Sequence, residues 1–210
     1  MSELKGDLYM VSSSLYNLIL KCREYSKQMA PKNLHHGFQH CLRVSKYALE
    51  IGKRENADLL IVGMSSYLHD IGRGREEKGE YHTITSARLA ASFLRKSGLP
   101  EAEIEKVVHS IKSHSRKKPH RNPPQTLEAK VLYDADGLDM IGAVGILRIA
   151  LSASLRGEGW DYVLKKTRWR LSIIDDFLTA SGRSLAKERR KLVSDFLHQL
   201  IHELVEIPGH

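Results

Sequence analysis

An imidazole and a carboxylate, His69 and Asp70, stand side by side at the end of an apolar segment. Residues 59–68 before them are apolar nearly all round and predict a helix buried in the middle of a domain. Its last turn places both polar groups in the interior, where a carboxylate is costly unless it is paired, hydrogen-bonded or bound to a metal. Gly72 is expected to end this helix in a left-handed backbone conformation. The pair indicates a divalent-metal site, because imidazole nitrogen and carboxylate oxygen are both common ligands.

Further polar groups lie on predicted helices that are otherwise apolar. His40 shares a face with Val44 and Ile51 by helical spacing and therefore points inward. A lone inward histidine is more often a satisfied core residue than a ligand, so His40 gains weight only from its partners. Asp136 and Asp139 are i, i+3 neighbours that can share a face, whereas Asp134 should point elsewhere.

The rest of the chain also has helical periodicity, and no period-two strand pattern is visible, which predicts an all-α, compact helical bundle. No Pro/Gly/Ser-rich linker divides the 210 residues, so a single domain over 1–210 is expected. Its motif-bearing core spans about 36–149, and C-terminal helices within 160–206 should pack on that core. The last two helices are predicted at about 160–180 and 184–205, with a break at Ser181 and Gly182.

Composition restricts the class of protein. Hydrophobic residues at 41% and charged residues at 28% are typical of a globular protein, and no apolar run reaches the roughly 20 residues of a membrane span. The N-terminus has no secretory h-region, and Cys22 and Cys41 lack metal or disulfide spacing, so a cytoplasmic protein without a membrane partner is expected. The net charge of +8 favours anionic partners without choosing among them.

The order His, His-Asp, Asp resembles the HD-domain metal-dependent phosphohydrolases, a superfamily named for the adjacent pair, and in particular its small single-domain members. Three segments carry the resemblance: His40-Cys41-Leu42-Arg43-Val44, Leu68-His69-Asp70-Ile71-Gly72 and the run from Asp134 to Ala143. The resemblance implies that His40, His69, Asp70 and Asp136 hold a divalent ion. The sequence does not distinguish Mn, Mg, Fe, Co, Ni and Zn.

The resemblance also implies hydrolysis of a phosphate ester or phosphoanhydride bond in a nucleotide or related phosphorylated metabolite. We expect catalytic residues at Asp70, Asp139, His82 and His109. Basic groups near the site are the expected substrate-binding residues: Arg43, Lys112, His114, Arg116, Lys117 and Lys118. Relatives with two metals use further histidines, for which His82, His109 and His114 are the candidates here, although we favour a single ion.

One position departs from the family pattern. Small members often read His-Asp-x-x-His before Arg-Val, whereas this chain has Gly37 between His36 and Phe38. Gly37 removes a carboxylate that could orient a ligand or water. His36 is left as a group behind the ligands, as a group that faces the substrate, or as an exposed residue. The charged loop 73–80 that follows the His-Asp pair is either a lid with phosphate-binding arginines or a solvated connection.

Two other functional classes stay open. A metal-stabilised regulatory domain without turnover is compatible with Gly37. A basic helical nucleic-acid-binding module could use the loop from Ser115 to Arg121, but no interleaved aromatic platform supports it. A homo-oligomer is compatible with the sequence.

Overall fold

The computed structural model describes residues 13–116 and 122–205, with side chains for 16–116 and 122–204. It confirms the all-α prediction, because these residues form nine α-helices and a short 3-10 helix and contain no strand. The helices are α1 (Ser13–Met29), α2 (Phe38–Glu55), α3 (Leu59–Leu68), α4 (His82–Lys96), α5 (Glu101–Ser113), α6 (Leu127–Met140), α7 (Gly142–Arg156), α8 (Trp160–Ser172) and α9 (Ala180–Val205), and the 3-10 helix is Ile173–Asp176.

The chain divides into two compact units, one up to Asp136 and one from Gly137, so the boundary falls within α6. The expectation of one domain over 1–210 stays a prediction. In the first unit, α3 is the central element, since every residue from Ile61 to Gly72 is buried. Asp58 caps its start by accepting hydrogen bonds from the backbone N–H groups of Leu60 (2.9 Å) and Ile61 (3.3 Å).

The core of the first unit joins α1, α3, α4 and α5. Apolar side chains from all four helices form one cluster, which includes Ile19, Met64, Leu68, Leu94 and Ile111. Because α3 is apolar on every face, it is held on several sides at once, and the residues that directly follow it are fixed in the interior.

Gly72 has a different role from the predicted one. The helix ends at Leu68, and Gly72 is not among the described glycines with positive φ. A Cβ at position 72 would lie 2.4 Å from the backbone nitrogen of Ser86, whose hydroxyl accepts a hydrogen bond from the N–H of Gly72 at 2.9 Å. The glycine is therefore explained by the close approach of α4 to the turn that carries His69 and Asp70, and not by a left-handed helix end.

The C-terminal helices also differ from the prediction. The helix α8 ends at Ser172 and continues only as the 3-10 turn Ile173–Asp176, and α9 already begins at Ala180. Thr179 explains the early start, because its hydroxyl accepts a hydrogen bond from the N–H of Gly182 at 2.9 Å in the manner of a helix N-cap. The predicted break at Ser181 and Gly182 is thus the first turn of α9.

Within the second unit, three arginines surround the end of α6. Arg148 of α7, Arg170 of α8 and Arg189 of α9 each donate to a backbone carbonyl, those of Asp139, Met140 and Leu138 respectively. Cations at a helix C-terminus satisfy its unpaired carbonyls and oppose the negative end of its dipole.

Among the described residues, no single helix is long and apolar enough to cross a membrane. The consecutive helices α6 and α7 reach that length and apolarity only when they are counted together across the bend between them.

Candidate metal centre

Three segments of the first unit bring the predicted ligands together. His40 lies on α2, His69 and Asp70 directly follow α3, and Asp136 lies near the end of α6. His40, His69 and Asp70 are at most 1% exposed, and the Asp136 side chain is 15% exposed. The cluster therefore has a buried side and one side that reaches solvent.

The imidazole nitrogens of His40 and His69 converge. Their Nε2 atoms lie 3.1 Å apart, and Nε2 of His40 is 3.4 Å from Oδ1 of Asp136 and 3.6 Å from Oδ2 of Asp70. Ligand atoms of His40, His69 and Asp136 lie within 4.8 Å of one another, as metal ligands do. These are two nitrogens and a carboxylate of the predicted set.

Backbone carbonyls fix the tautomers of two histidines. The Nδ1–H of His69 donates to the carbonyl of Ser66 at 2.7 Å, and the Nδ1–H of His114 donates to the carbonyl of Ile111 at the same distance. In each ring Nε2 then carries the lone pair, and both Nε2 atoms face Asp70. Burial also lowers the pKa of His69 to about 4, although the Asp70 carboxylate acts in the opposite direction. The ring is therefore uncharged at neutral pH, and its Nε2 can bind a metal.

Asp70 is the centre of the cluster. Its Oδ2 accepts hydrogen bonds from Nδ1 of His36 at 3.0 Å and from Nε of Arg73. Burial alone would raise its pKa, but the Arg73 guanidinium and His69 outweigh burial and hold the pKa well below the ordinary value, so the group is a carboxylate.

The other oxygen, Oδ1 of Asp70, is buried and has no hydrogen-bond partner among the described residues. It lies 3.6 Å from Nε2 of both His82 and His114. An anionic oxygen without a donor in the interior is costly, and a cation bound among the neighbouring nitrogens would satisfy it. The residues present therefore fit a divalent ion, with a mixed nitrogen and oxygen donor set.

Three residues that the sequence left undecided also belong to this region. His36 contacts Asp70 directly, although its position in the loop before α2 allowed an exposed side chain. His114 shares a potential ligand cluster with His69 and Asp70, and a second such cluster contains His36, His40 and Asp70. Arg73 contacts both Asp70 and His82. Its Nη2 lies 3.1 Å from Nε2 of His82.

Other predicted site residues lie elsewhere or are engaged differently. Nε2 of His109 accepts a hydrogen bond from the backbone N–H of Gln125 at 3.1 Å, and the potential ligand clusters of the described residues do not include it. Asp139 is buried in the second unit, where Oδ2 pairs with Nη1 of Arg148 at 2.6 Å. The catalytic roles of His109 and Asp139 stay predictions.

The predicted substrate-binding residues do not share one environment. Arg116 is buried, donates to the carbonyl of Tyr133 at 3.1 Å and lies over the Tyr133 ring, with Asp134 at 4.0 Å. Arg43 on α2 and Lys112 on α5 are partly exposed. Lys117 and Lys118 lie outside the described residues.

Comparisons with known proteins agree with this geometry. A model of the HD domain matches residues 37–141, which is half of the chain and contains all four predicted ligands. The chain belongs to the HD-domain family. The uncharacterized protein YpgQ of Bacillus subtilis is 30% identical over 186 residues, covering 83% of this chain and 85% of YpgQ.

Two solved structures are similar over most of this HD-domain protein. The crystal structure of Bacillus subtilis YpgQ in complex with ADP has a TM-score of 0.75 and 27% identity, covering 93% of this chain and 98% of YpgQ. A predicted HD superfamily hydrolase from an uncultured Thermotogales bacterium has a TM-score of 0.64 and 28% identity, covering 90% and 92%. The family and the donor cluster support a metal-binding hydrolase in general terms.

Proposed function

We propose that this HD-domain protein is a divalent-metal-dependent phosphohydrolase that acts on a nucleoside phosphate. The cluster of imidazoles around the buried Oδ1 of Asp70, which has no hydrogen-bond partner among the described residues, carries the proposal. The ADP bound to the similar protein YpgQ supports a nucleotide as the substrate class.

His40, His69, Asp70 and Asp136 would hold the ion. When bound, a divalent ion supplies Lewis acidity, which makes a coordinated water more acidic and polarises a phosphoryl oxygen. His69 keeps its Nε2 directed into the cluster because its other nitrogen is bound to the Ser66 carbonyl. His36 holds Oδ2 of Asp70 and so fixes the rotation of that carboxylate.

Arg73 is the cation best placed to bind substrate phosphate. Its side chain is 25% exposed, so one part contacts the buried carboxylate while another faces solvent. Nε2 of His82 accepts a hydrogen bond from Arg73, and burial together with the charge of Arg73 lowers the pKa of His82 far below its ordinary value. A neutral His82 thus orients the guanidinium without repelling it, and the guanidinium can stabilise negative charge on a phosphoryl group.

The experiment is a phosphate-release assay on protein stripped of metal and then supplied with Mn²⁺, Mg²⁺, Co²⁺ or Zn²⁺. The substrates are AMP, ADP and ATP, with pyrophosphate and a sugar phosphate for comparison. We expect release from at least one nucleotide with at least one ion, none in EDTA, and none from Asp70→Ala. Asp195→Ala is the matched control, because this exposed aspartate pairs with Lys191 on the surface of α9, far along the chain from the donor cluster.

A metal-loaded protein that hydrolyses no nucleotide would contradict the proposal and favour the regulatory domain without turnover. Hydrolysis that survives both EDTA and Asp70→Ala would place the activity at a different site or in a contaminant.

A further inference from the structure

Exposed apolar side chains are concentrated in the second unit. Among the described residues, eight of the eleven large apolar side chains that are exposed lie beyond residue 137. Four of them form one row along α7: Val144, Leu147, Leu151 and Leu155. Leu147 is 63% exposed and Leu155 77%, values more usual for charged residues on a helix surface.

The row has the spacing of a helix–helix seam. Its steps of three, four and four residues keep the four side chains on one face over about 16 Å of helix. Along α7, which is described in full, the other exposed positions before Arg156 are Ala143, Ala150 and Ser154, so this face carries no charge.

The opposite face of α7 is already in use. Ile149 and Ala153 pack with Val163 of α8 and Leu200 of α9 in the core of the second unit, and Arg148 is held by Asp139. The helix is thus anchored on one side and apolar on the other. A surface helix normally presents charged residues there, and a helix apolar all round is normally covered on all sides.

We infer that the exposed face of α7 is a homodimer interface, which packs antiparallel against the same face of a second copy of this chain. Together with Trp160, which begins α8 and is 54% exposed, the row leaves about 500 Å² of apolar surface, at the upper end for a monomeric protein. Two copies that cover it bury about 1,000 Å² in total, the size at which a specific interface begins.

Charge and symmetry select the antiparallel arrangement. In a dimer with a two-fold axis, the same patch of both copies is in contact. The row carries no charged side chain, so this contact brings no like charges of the row together. Parallel packing would bring the two Arg156 guanidinium groups together, whereas antiparallel packing separates them by the length of α7. The axis then lies between Leu147 and Leu151, so that each Leu147 meets Leu151 of the second copy.

Sedimentation of the full chain tests the interface. We expect twice the chain mass of 23.8 kDa, and we expect Leu147→Glu with Leu155→Glu to raise the dimer Kd by at least about 100-fold. Leu192→Glu on α9 is the control, because that leucine is 49% exposed and stands beside exposed Lys191 and Asp195. A wild-type monomer at about 100 μM, or a dimer that the paired substitution leaves intact, would overturn the inference.

The same preparations are floated with vesicles of neutral and anionic phospholipid. A monomer that floats with the vesicles and loses this property in the paired Glu variant would assign the face to a membrane surface and overturn the inference.

Cross-linking tests the orientation without adding charge. Leu147→Cys and Leu151→Cys proteins are oxidised singly and as a mixture. Antiparallel packing predicts several-fold more cross-linked dimer in the mixture than in either protein alone. The native thiols contribute no background, because Cys22 and Cys41 are buried and burial raises the pKa of each to about 12. Equal yields in all three samples, or the highest yield with a single variant, would overturn the antiparallel dimer.

Discussion

At the residue scale, the candidate site depends on how each ligand is held and not only on which residues are present. The backbone carbonyl of Ser66 fixes the ring of His69, and His36 fixes one oxygen of Asp70. The other oxygen is left buried among the imidazoles of His82 and His114. Preorganised donors of this kind bind a cation without first rearranging, which is why outer contacts matter for affinity.

Two carboxylates of α6, Asp134 and Asp136, provide the sharpest test of the ligand set. Asp136 faces Nε2 of His40 at 3.4 Å, whereas Asp134 faces Arg116. We expect Asp136→Asn to weaken metal binding by more than about 100-fold, because losing a ligand costs more than the roughly 10–100-fold lost with an outer contact. Asp134→Asn should leave metal affinity unchanged within a few-fold. Metal titration with elemental analysis measures the affinity of both variants. An empty site in Asp134→Asn together with a filled site in Asp136→Asn would show that Asp134, and not Asp136, faces the ion.

Arg73 competes with the ion for the same carboxylate. Removing a positive charge a few ångströms from a divalent cation should raise metal affinity roughly tenfold at low salt. Arg73→Gln should therefore bind metal more tightly, and its KM for a nucleoside phosphate should rise because a phosphate-binding cation is lost.

Arg75→Gln is the control for Arg73→Gln, since Arg75 lies in the same loop but donates to the carbonyls of Met29 and Ile71. Metal affinity that falls in Arg73→Gln would show that Arg73 supports the site instead of competing with the ion.

The sequence predicted the burial of His40, His69 and Asp70, because helical spacing placed His40 inward and the apolar segment before His69 required burial. It did not predict the contact of His36 with Asp70. That contact depends on the turn 31–37, where the side chain of Asn33 accepts from the N–H groups of His35 (3.0 Å) and His36 (2.7 Å). Turn geometry of this kind has no periodicity from which it can be deduced.

At the element scale, Gly37 explains the departure from the family pattern. A Cβ at this position would lie 2.1 Å from the carbonyl oxygen of Asn33 and 2.8 Å from that of Pro31. Both atoms belong to the backbone, so the aspartate that is common in small family members cannot occupy this turn as it stands. The missing carboxylate is therefore a consequence of a turn that presents His36 to Asp70.

Gly37→Ala should displace the turn and the bond between His36 and Asp70 together. We expect the free energy of unfolding to fall by about 1–3 kcal/mol and metal affinity to fall with it. Denaturant unfolding and metal titration check the two effects. Gly159→Ala is the matched control, because no atom lies within 4 Å of a Cβ there and the backbone is extended. If Gly37→Ala behaves like Gly159→Ala, the turn does not hold the site.

The end of α6 separates a structural role of Asp139 from the predicted catalytic one. Asp139→Asn leaves the buried Arg148 without its counter-charge and should lower the free energy of unfolding by about 3–5 kcal/mol. Asp175→Asn, whose partner Arg190 is exposed, should cost less than about 1 kcal/mol. Unchanged stability of Asp139→Asn with lost turnover per folded molecule would favour catalysis over the ion pair.

Helix positions were predicted better than helix ends. Thr126 caps α6, since its hydroxyl accepts a hydrogen bond from the N–H of Ala129 at 3.2 Å. The end of α8 and the start of α9 were misplaced, because Thr179 gave a weaker signal than the Ser181-Gly182 pair. Gly72 was assigned to a helix end when its cause is the approach of α4, a contact between segments far apart in the sequence.

At the scale of the whole molecule, the proposed chemistry and the proposed association fall on different units. The donor cluster belongs to the first unit, ending at Asp136, and the exposed row of α7 belongs to the second. The net charge of +8 suits the phosphorylated substrate that the first unit is proposed to bind. The match to the HD-domain family covers residues 37–141, and the row on α7 lies entirely beyond it.

The most direct measurement is turnover against metal occupancy on one preparation. Metal-free protein is titrated with the ion that best supports phosphate release, and bound metal and initial rate are measured at each point, with His69→Ala in parallel. We predict that rate and occupancy rise in proportion, that EDTA reverses both, and that His69→Ala shows neither. A rate that is already full in the metal-free protein, or that persists in His69→Ala, would contradict the proposed phosphohydrolase site.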